Sequence, residues 1–189
     1  IDEWGIDAAY SGSQKCLSCT PGISPVTFGE RAIAKVQGRK TPVQSWFMDL
    51  NLVLGYWSGE GKRTYHHTAP INPLYGLHEA LVMVAEEGLE AAWARHRAMH
   101  EQLRTGVEAL GMQFVVAETA RLPQLNSIYI PEGVDDAAAR TRLINEFNLE
   151  IGAGLGALAG KIWRIGLMGY SARQENVEYC LKAMKAVIG

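Results

Sequence analysis

Apolar and polar positions follow two different periods along this chain, and the change between them marks its organisation. Residues 6–10 are mostly apolar and run into Ser11-Gly12-Ser13, the pattern of a strand entering a polar loop. Residues 18–29 carry Pro21-Gly22 and Pro25, which predicts a loop with at most one short strand. Residues 27–37 fit a short helix, and residues 46–57 are apolar with helical spacing, followed by a loop at Ser58-Gly59-Glu60-Gly61. After Pro73 the helical period is strong. Leu77, Leu81, Val84, Leu89, Trp93, Leu103 and Val107 form an apolar stripe, broken at Gly88 and stopped at Gly111.

From Met112 the period shortens. Residues 114–116 and 127–130 read as strands, and residues 135–147 as a helix capped by Asp135 or Asp136. Residues 149–151 read as a strand entering a glycine-rich loop, and residues 162–166 as a further strand. A last helix covers residues 171–188, with Ser171 as its N-cap. The second half is therefore a compact α+β unit, and the long helical stretch before it is placed to bridge two domains.

Composition narrows the class. The chain has 189 residues with a formal net charge of -2. That is enough for one large domain or two small ones. Mixed charges without a basic stripe argue against nucleic acid and against an anionic membrane as partner. The longest apolar run is far too short to span a bilayer. Three cysteines fit reduced thiols and a cytoplasmic compartment better than a disulfide framework. The opening residues carry no signal-peptide pattern and no initiator Met, and they begin inside a strand-turn pattern, which predicts a piece of a longer polypeptide.

Candidate chemistry centres on Lys15. It follows Ser11-Gly12-Ser13-Gln14 at the end of an apolar strand, where open α/β sheets gather their ligands. A lysine that attaches a cofactor needs small and polar neighbours that leave room for it; most lysines are simply solvated. Arg164 sits within an apolar strand pattern and needs an anionic partner, either a ligand carboxylate or an internal acid such as Glu150. Tyr65 and Thr68 have hydroxyls suited to phosphate, although polar residues before a proline such as Pro70 are more often plain turn residues. His66 and His67 are adjacent and lack a further ligand nearby, so no metal site is expected. Cys16-Leu17-Ser18-Cys19 has redox spacing, but Pro21-Gly22 follows too soon for the helix that such chemistry uses. The run from Gly152 to Ala157 formally fits a dinucleotide fingerprint, yet a strand follows it instead of a helix.

The local sequence adds a resemblance. Tyr10-Ser11-Gly12-Ser13-Gln14-Lys15 resembles the cofactor-lysine motif of the alanine–glyoxylate and serine–pyruvate aminotransferases, in the class V group of pyridoxal-phosphate enzymes. Thr64-Tyr65-His66-His67-Thr68-Ala69-Pro70 is similar to that family's phosphate-contacting segment, and residues 160–169 to its substrate-carboxylate segment. The three lie in the family's order at similar separations. The resemblance implies an α/β fold of fold-type I, with residues 1–87 as the end of the large cofactor domain and 88–189 as a small C-terminal α+β domain. It implies pyridoxal 5'-phosphate as cofactor, held as a Schiff base (internal aldimine) on Lys15, which then shuttles a proton. Gln14 would lie beside the cofactor. Tyr65 and Thr68 would bind its phosphate across a homodimer interface with shared active sites. Arg164 would clamp the substrate carboxylate. The activity implied is ping-pong transamination from alanine or serine to glyoxylate. Ureidoglycine or another donor is the alternative within the class, and a non-catalytic fragment or partner with an incomplete site the alternative outside it. The family's pyridine-pairing aspartate, ring-stacking aromatic and phosphate-binding glycine turn would precede Ile1.

Overall fold

The computed structural model describes residues 1–57 and 64–189, so the loop expected at Ser58-Gly59-Glu60-Gly61 lies outside the described residues. The chain divides into two compact units: Ile1–Ser13 with Thr20–Gly76, and Gln14–Cys19 with Leu77–Gly189.

The first unit begins with an antiparallel pair, β1 (Ala8–Tyr10) and β2 (Val26–Phe28), in register Ala8↔Phe28. Asp7 holds Arg31 by a two-pronged ion pair, with Nε to Oδ1 at 2.7 Å and Nη2 to Oδ2 at 3.1 Å. Helix α1 (Glu30–Gln37) follows β2, and α2 (Leu50–Trp57) carries the apolar stretch expected to be helical. Neither helix buries a residue. Among the described residues, Ser13 and His66 are this unit's buried side chains.

Two long helices follow, α3 (Ile71–Glu87) and α4 (Leu89–Ala109), separated at Gly88 as the pattern predicts. Gly88 has a φ of 81°, a left-handed value that glycine adopts without strain. Helix α3 starts before Pro73, because a proline in the first turn gives up an N–H that has no helical partner there. The stripe on α4 differs from the one expected. Ala92, His96, His100, Leu103 and Val107 are buried, whereas Leu89 and Trp93 are exposed. Those five lie three or four apart on one face of the helix; Leu89 and Trp93, in its first turns, lie on or beside the line of that face and are nonetheless exposed.

The second unit is built on a three-stranded antiparallel sheet in the order β3 (Leu125–Tyr129), β5 (Ile162–Gly166), β4 (Gly152–Ala153). Helices α5 (Asp136–Phe147) and α6 (Gln174–Ile188) pack on each other, and α6 packs on α4. Strand alternation divides the central strand β5. Trp163 and Ile165 enter the core with Ile128, Leu103, Leu143, Val177 and Met184, and Arg164 points to the other face.

Several boundaries shift for local reasons. Residues 114–116 form only a bridge, Phe114↔Ile128, because the Val116 carbonyl accepts from Arg121 Nε at 2.9 Å instead of joining a ladder. Residues 149–150 are taken up by the end of α5. Asn148 is left-handed at φ 48°, and Leu149 N–H donates to Leu143 O at 3.0 Å, a Schellman closure that delays β4 to Gly152. Helix α6 starts at Gln174 because Ser171 turns its hydroxyl to the Met168 carbonyl at 2.8 Å within a 3-10 turn, Gly169–Ser171. Asp135 is the N-cap of α5 and accepts from Ala138 N–H at 2.7 Å.

Asp136, the first residue of α5, joins helix to sheet. Its carboxylate accepts from Trp163 Nε1 at 2.9 Å and from Arg140 Nε at 2.7 Å. The Arg140 bond holds the carboxyl below its ordinary range, helped by the indole N–H and opposed by partial burial. An Asp136→Ala variant is expected to lose about 1–3 kcal/mol of stability, because the indole N–H of fully buried Trp163 is left unpaired. A carboxyl depressed in the folded state stabilises above the unfolded value. The part of the gap that depends on the carboxylate charge is therefore full above about pH 4 and is lost as pH falls through the depressed folded value, while the part due to the indole N–H persists. Denaturant unfolding at several pH values checks both.

Candidate functional site

Lys15 sits in a hexapeptide that both of its ends hold closed. The buried Ser13 hydroxyl is shared between the carbonyls of Thr20 at 2.8 Å and Ile23 at 3.0 Å, across the base of the segment Gln14–Cys19. Within it, Ser18 N–H donates to Lys15 O at 2.9 Å, closing a turn over residues 15–18. Ser18 takes a left-handed φ of 55° at the turn's end. Gln14 and Lys15 are exposed, and among the described residues of its unit the Lys15 amine makes no ion pair. Cys16 and Cys19 form no disulfide. The third thiol, Cys180, is buried against Met184, and burial pushes it up to about 11.

The Lys15 turn rests on the peptide that follows β5. Tyr170 N–H donates to Ser18 Oγ at 2.8 Å. Gly169 faces the turn so closely that a Cβ on it would lie 2.5 Å from the Cys16 carbonyl oxygen and 2.0 Å from Ser18 Oγ. Its φ of +56° is likewise one that side chains resist. Position 169 thus requires glycine twice over.

From the other side, α4 holds the same peptide. His96 Nδ1 lies 2.6 Å from the Ala92 carbonyl, which can only accept, so Nδ1 carries the proton. Nε2 is then free to accept the Gly169 N–H at 2.9 Å. Arg95 Nη1 donates to the carbonyls of Gly169 at 2.8 Å and Ala172 at 2.9 Å. Its Nη2 pairs with Glu87 Oε2 at 2.8 Å, and this bond lowers the Glu87 carboxyl and raises the guanidinium from their ordinary values. One turn further along α4, His100 donates from Nδ1 to Asn126 Oδ1 at 2.6 Å. Asn126 in turn donates to the Pro123 carbonyl at 3.1 Å and the Ile165 carbonyl at 3.4 Å.

Arg164 sits beside this frame on the face of β5 away from the core, paired across the sheet with Gly152 and Ser127. Its Nε donates to the Ala153 carbonyl at 2.8 Å. Among the described residues it forms no ion pair with Glu150, so the internal-acid alternative finds no support there.

Tyr65 and Thr68 belong to the first unit. Their hydroxyls lie 2.6 Å apart at the surface. Between them in sequence, buried His66 stacks on Trp46 with ring centroids 4.0 Å apart and reaches the Trp46 carbonyl at 3.2 Å through Nε2. Its Nδ1 faces His67 Nδ1 at 2.7 Å. The two histidines thus engage each other and an aromatic ring. Among the described residues no group of three or more metal-type side chains occurs.

The second unit therefore carries Gln14, Lys15 and Arg164, and the first carries Tyr65 and Thr68. Arg95, His96, His100 and the role of Gly169 were not visible in the sequence reading. The one signal was the spacing of His96 and His100, four apart and in line with Leu103 and Val107.

Comparison with known proteins gives the family and the fold. The family model described as aminotransferase class-V matches residues 1–179. The chain is 38% identical to a (S)-ureidoglycine–glyoxylate transaminase of Bacillus subtilis, over 100% of this chain and 49% of that protein. It is 40% identical to an alanine–glyoxylate aminotransferase of Callithrix jacchus, covering 100% of this chain and 46% of that one. The crystal structure of an alanine–glyoxylate aminotransferase from Nostoc sp. superposes with a TM-score of 0.94 at 49% identity, over 100% of this chain and 49% of that chain. The chain thus spans about half the length of the relatives it matches. A pyridoxamine–pyruvate aminotransferase from Mesorhizobium loti follows at a TM-score of 0.85 and 28% identity. These neighbours have the fold-type I architecture, here with mixed α and β elements, and the cofactor of the family is pyridoxal 5'-phosphate. By its match over nearly its whole length, the chain belongs to the class V aminotransferases.

Proposed function

We propose that this chain supplies the lysine-bearing half of an aminotransferase that moves an amino group from alanine or serine to glyoxylate. The observation that carries the reading is the Lys15 turn: an exposed amine on a closed turn, seated against the peptide that leaves the Arg164 strand. The donor set suits pyridoxal phosphate. An amine without an ion-pair partner in its unit can attach an aldehyde, and paired surface hydroxyls at Tyr65 and Thr68 can bind phosphate oxygens. When bound, the cofactor supplies the electron sink for the chemistry at the substrate Cα. Lys15 attaches it and, once released, carries a proton to and from that carbon. Gln14 lies beside it. Arg164 fixes the substrate carboxylate through its guanidinium, which has no internal carboxylate among the described residues. A ureidoglycine donor is the second reading, supported by the 38% identity with the Bacillus subtilis transaminase.

The whole protein is proposed to be a homodimer with shared sites, in which Tyr65 and Thr68 serve the second subunit's cofactor. Residues 1–87 are read as the end of the large cofactor domain and 88–189 as the small domain. The sparse core of the first unit supports this: Trp46, Phe47 and Trp57 are exposed, as they would be at the edge of a larger packed body. Three cysteines without a disulfide support a reducing, cytoplasmic compartment. No helix among the described residues is long and apolar enough to cross a membrane.

In the full-length holoenzyme, borohydride reduction is expected to leave a pyridoxyl label on Lys15, located by peptide mapping. A Lys15→Ala variant is expected to lose both the label and turnover; undiminished transamination in it would falsify the assignment. An Arg164→Ala variant is expected to keep the cofactor and lose about 2–5 kcal/mol in kcat/KM for amino and oxo acids. Steady-state kinetics on both substrates, beside the cofactor absorbance, tests this.

A further inference from the structure

We propose that His96 and Arg95 are positioning residues for Lys15, acting through the Gly169 peptide. The inference rests on reading Lys15 as the lysine that attaches pyridoxal phosphate. Among the described residues neither side chain hydrogen-bonds to the Lys15 turn. His96 takes the N–H of Gly169, and Arg95 takes its carbonyl, so both ends of this residue are bound from α4. The opposite side of Gly169 is where the Cys16 carbonyl and the Ser18 hydroxyl rest, and the next N–H, of Tyr170, donates to Ser18. The peptide is a spacer of fixed thickness between helix and lysine turn.

Three features make this a placement device and not ordinary packing. His96 is 5% exposed, and both of its nitrogens are committed, which fixes one neutral tautomer and one ring orientation. Arg95 is itself oriented by Glu87 and holds two carbonyls of the same turn, those of Gly169 and Ala172. Gly169 leaves no slack, because a single added carbon would overlap a main-chain oxygen of the lysine turn. Arg164 lies five residues before Gly169, on the strand that leads into this peptide. Fixing Gly169 thus sets the lysine turn against the strand that carries the carboxylate clamp. Positional tolerance at reacting centres is small, so a loosened spacer affects attachment more than overall folding.

The test uses the full-length protein, stripped of cofactor and then given pyridoxal phosphate. Two quantities are read: amide hydrogen exchange over residues 14–20 and 167–172, and the rate at which a borohydride-trapped label accumulates on Lys15. His96→Phe is expected to speed exchange in both segments and to slow labelling about tenfold, the order of one lost hydrogen bond. His96→Gln, whose side-chain oxygen can accept the Gly169 N–H, is expected to restore much of both. Ser18→Gly keeps the left-handed backbone and removes the hydroxymethyl side chain that accepts the Tyr170 N–H, so it is expected to speed exchange in both segments and slow labelling with the α4 grip intact. That variant also decides the matter if His96→Phe does not fold. Labelling at the wild-type rate in both folded variants would overturn the inference. So would faster exchange confined to residues 167–172. Absence of any label on Lys15 in the wild type overturns the cofactor reading instead, and the exchange coupling between the two segments then decides the mechanical inference on its own.

Discussion

The close approach of two main-chain segments at Gly169 is the constraint on which the second unit's site depends. A backbone can come this near another only where a side chain is absent and the left-handed region is open. Both conditions meet here, and the main-chain groups of Gly169 and the N–H of Tyr170 are engaged. The Gly169 N–H goes to a histidine, its carbonyl to an arginine, and the Tyr170 N–H to a serine hydroxyl. Such satisfaction matters because a buried N–H or carbonyl left alone costs as much as several apolar contacts contribute. The turn is consequently specified by its neighbours, not by its own sequence.

Helix α4 is the element that converts this local arrangement into a frame. Its lower turns, with Leu103 and Val107, belong to the apolar core beneath the sheet. Its upper turns exchange apolar burial for polar burial, with His96 on the Gly169 peptide and His100 on Asn126. Asn126 reaches the carbonyl of Ile165 on β5, the residue after Arg164. One helix therefore fixes two points: the strand at the arginine, and the peptide just beyond that strand. Hydrogen bonds do this better than packing, because they restrict direction as well as distance.

Legibility in the sequence followed the range of the forces involved. Gly88, the cap at Asp135 and the strand at Ile162–Gly166 could be read because each is decided within a few residues. The stripe on α4 was misplaced for the opposite reason. Apolar character alone points to Leu89 and Trp93, while the buried face holds two histidines whose partners Gly169 and Asn126 lie more than twenty residues away in sequence. The same limit explains Ser171. Its type suits a helix cap, yet its hydroxyl is taken by Met168, and α6 waits until Gln174. The site residues came from motif likeness to a family, which carries positions but not the bonds that hold them. Beyond the spacing of His96 and His100 on one helix face, Arg95, His96 and Gly169 have no local signature, since their roles exist only once α4, β5 and the lysine turn are assembled.

Arg164, the proposed carboxylate clamp, shows how one strand can build the core and carry a candidate site residue. Alternation sends Trp163 and Ile165 into the core and leaves the residue between them on the opposite face. The two buried neighbours remove the freedom of the backbone on either side, and the Ala153 carbonyl orients the guanidinium through Nε. Its two terminal nitrogens are then presented by a rigid element, the condition under which a bidentate carboxylate contact loses least entropy. Trp163 is in turn held by Asp136 through its indole N–H. An acid at the start of α5 therefore bears on the arginine without touching it: loosening the indole loosens the strand, and the arginine's aim depends on that strand. Placement of the charged group is in this sense a property of the core.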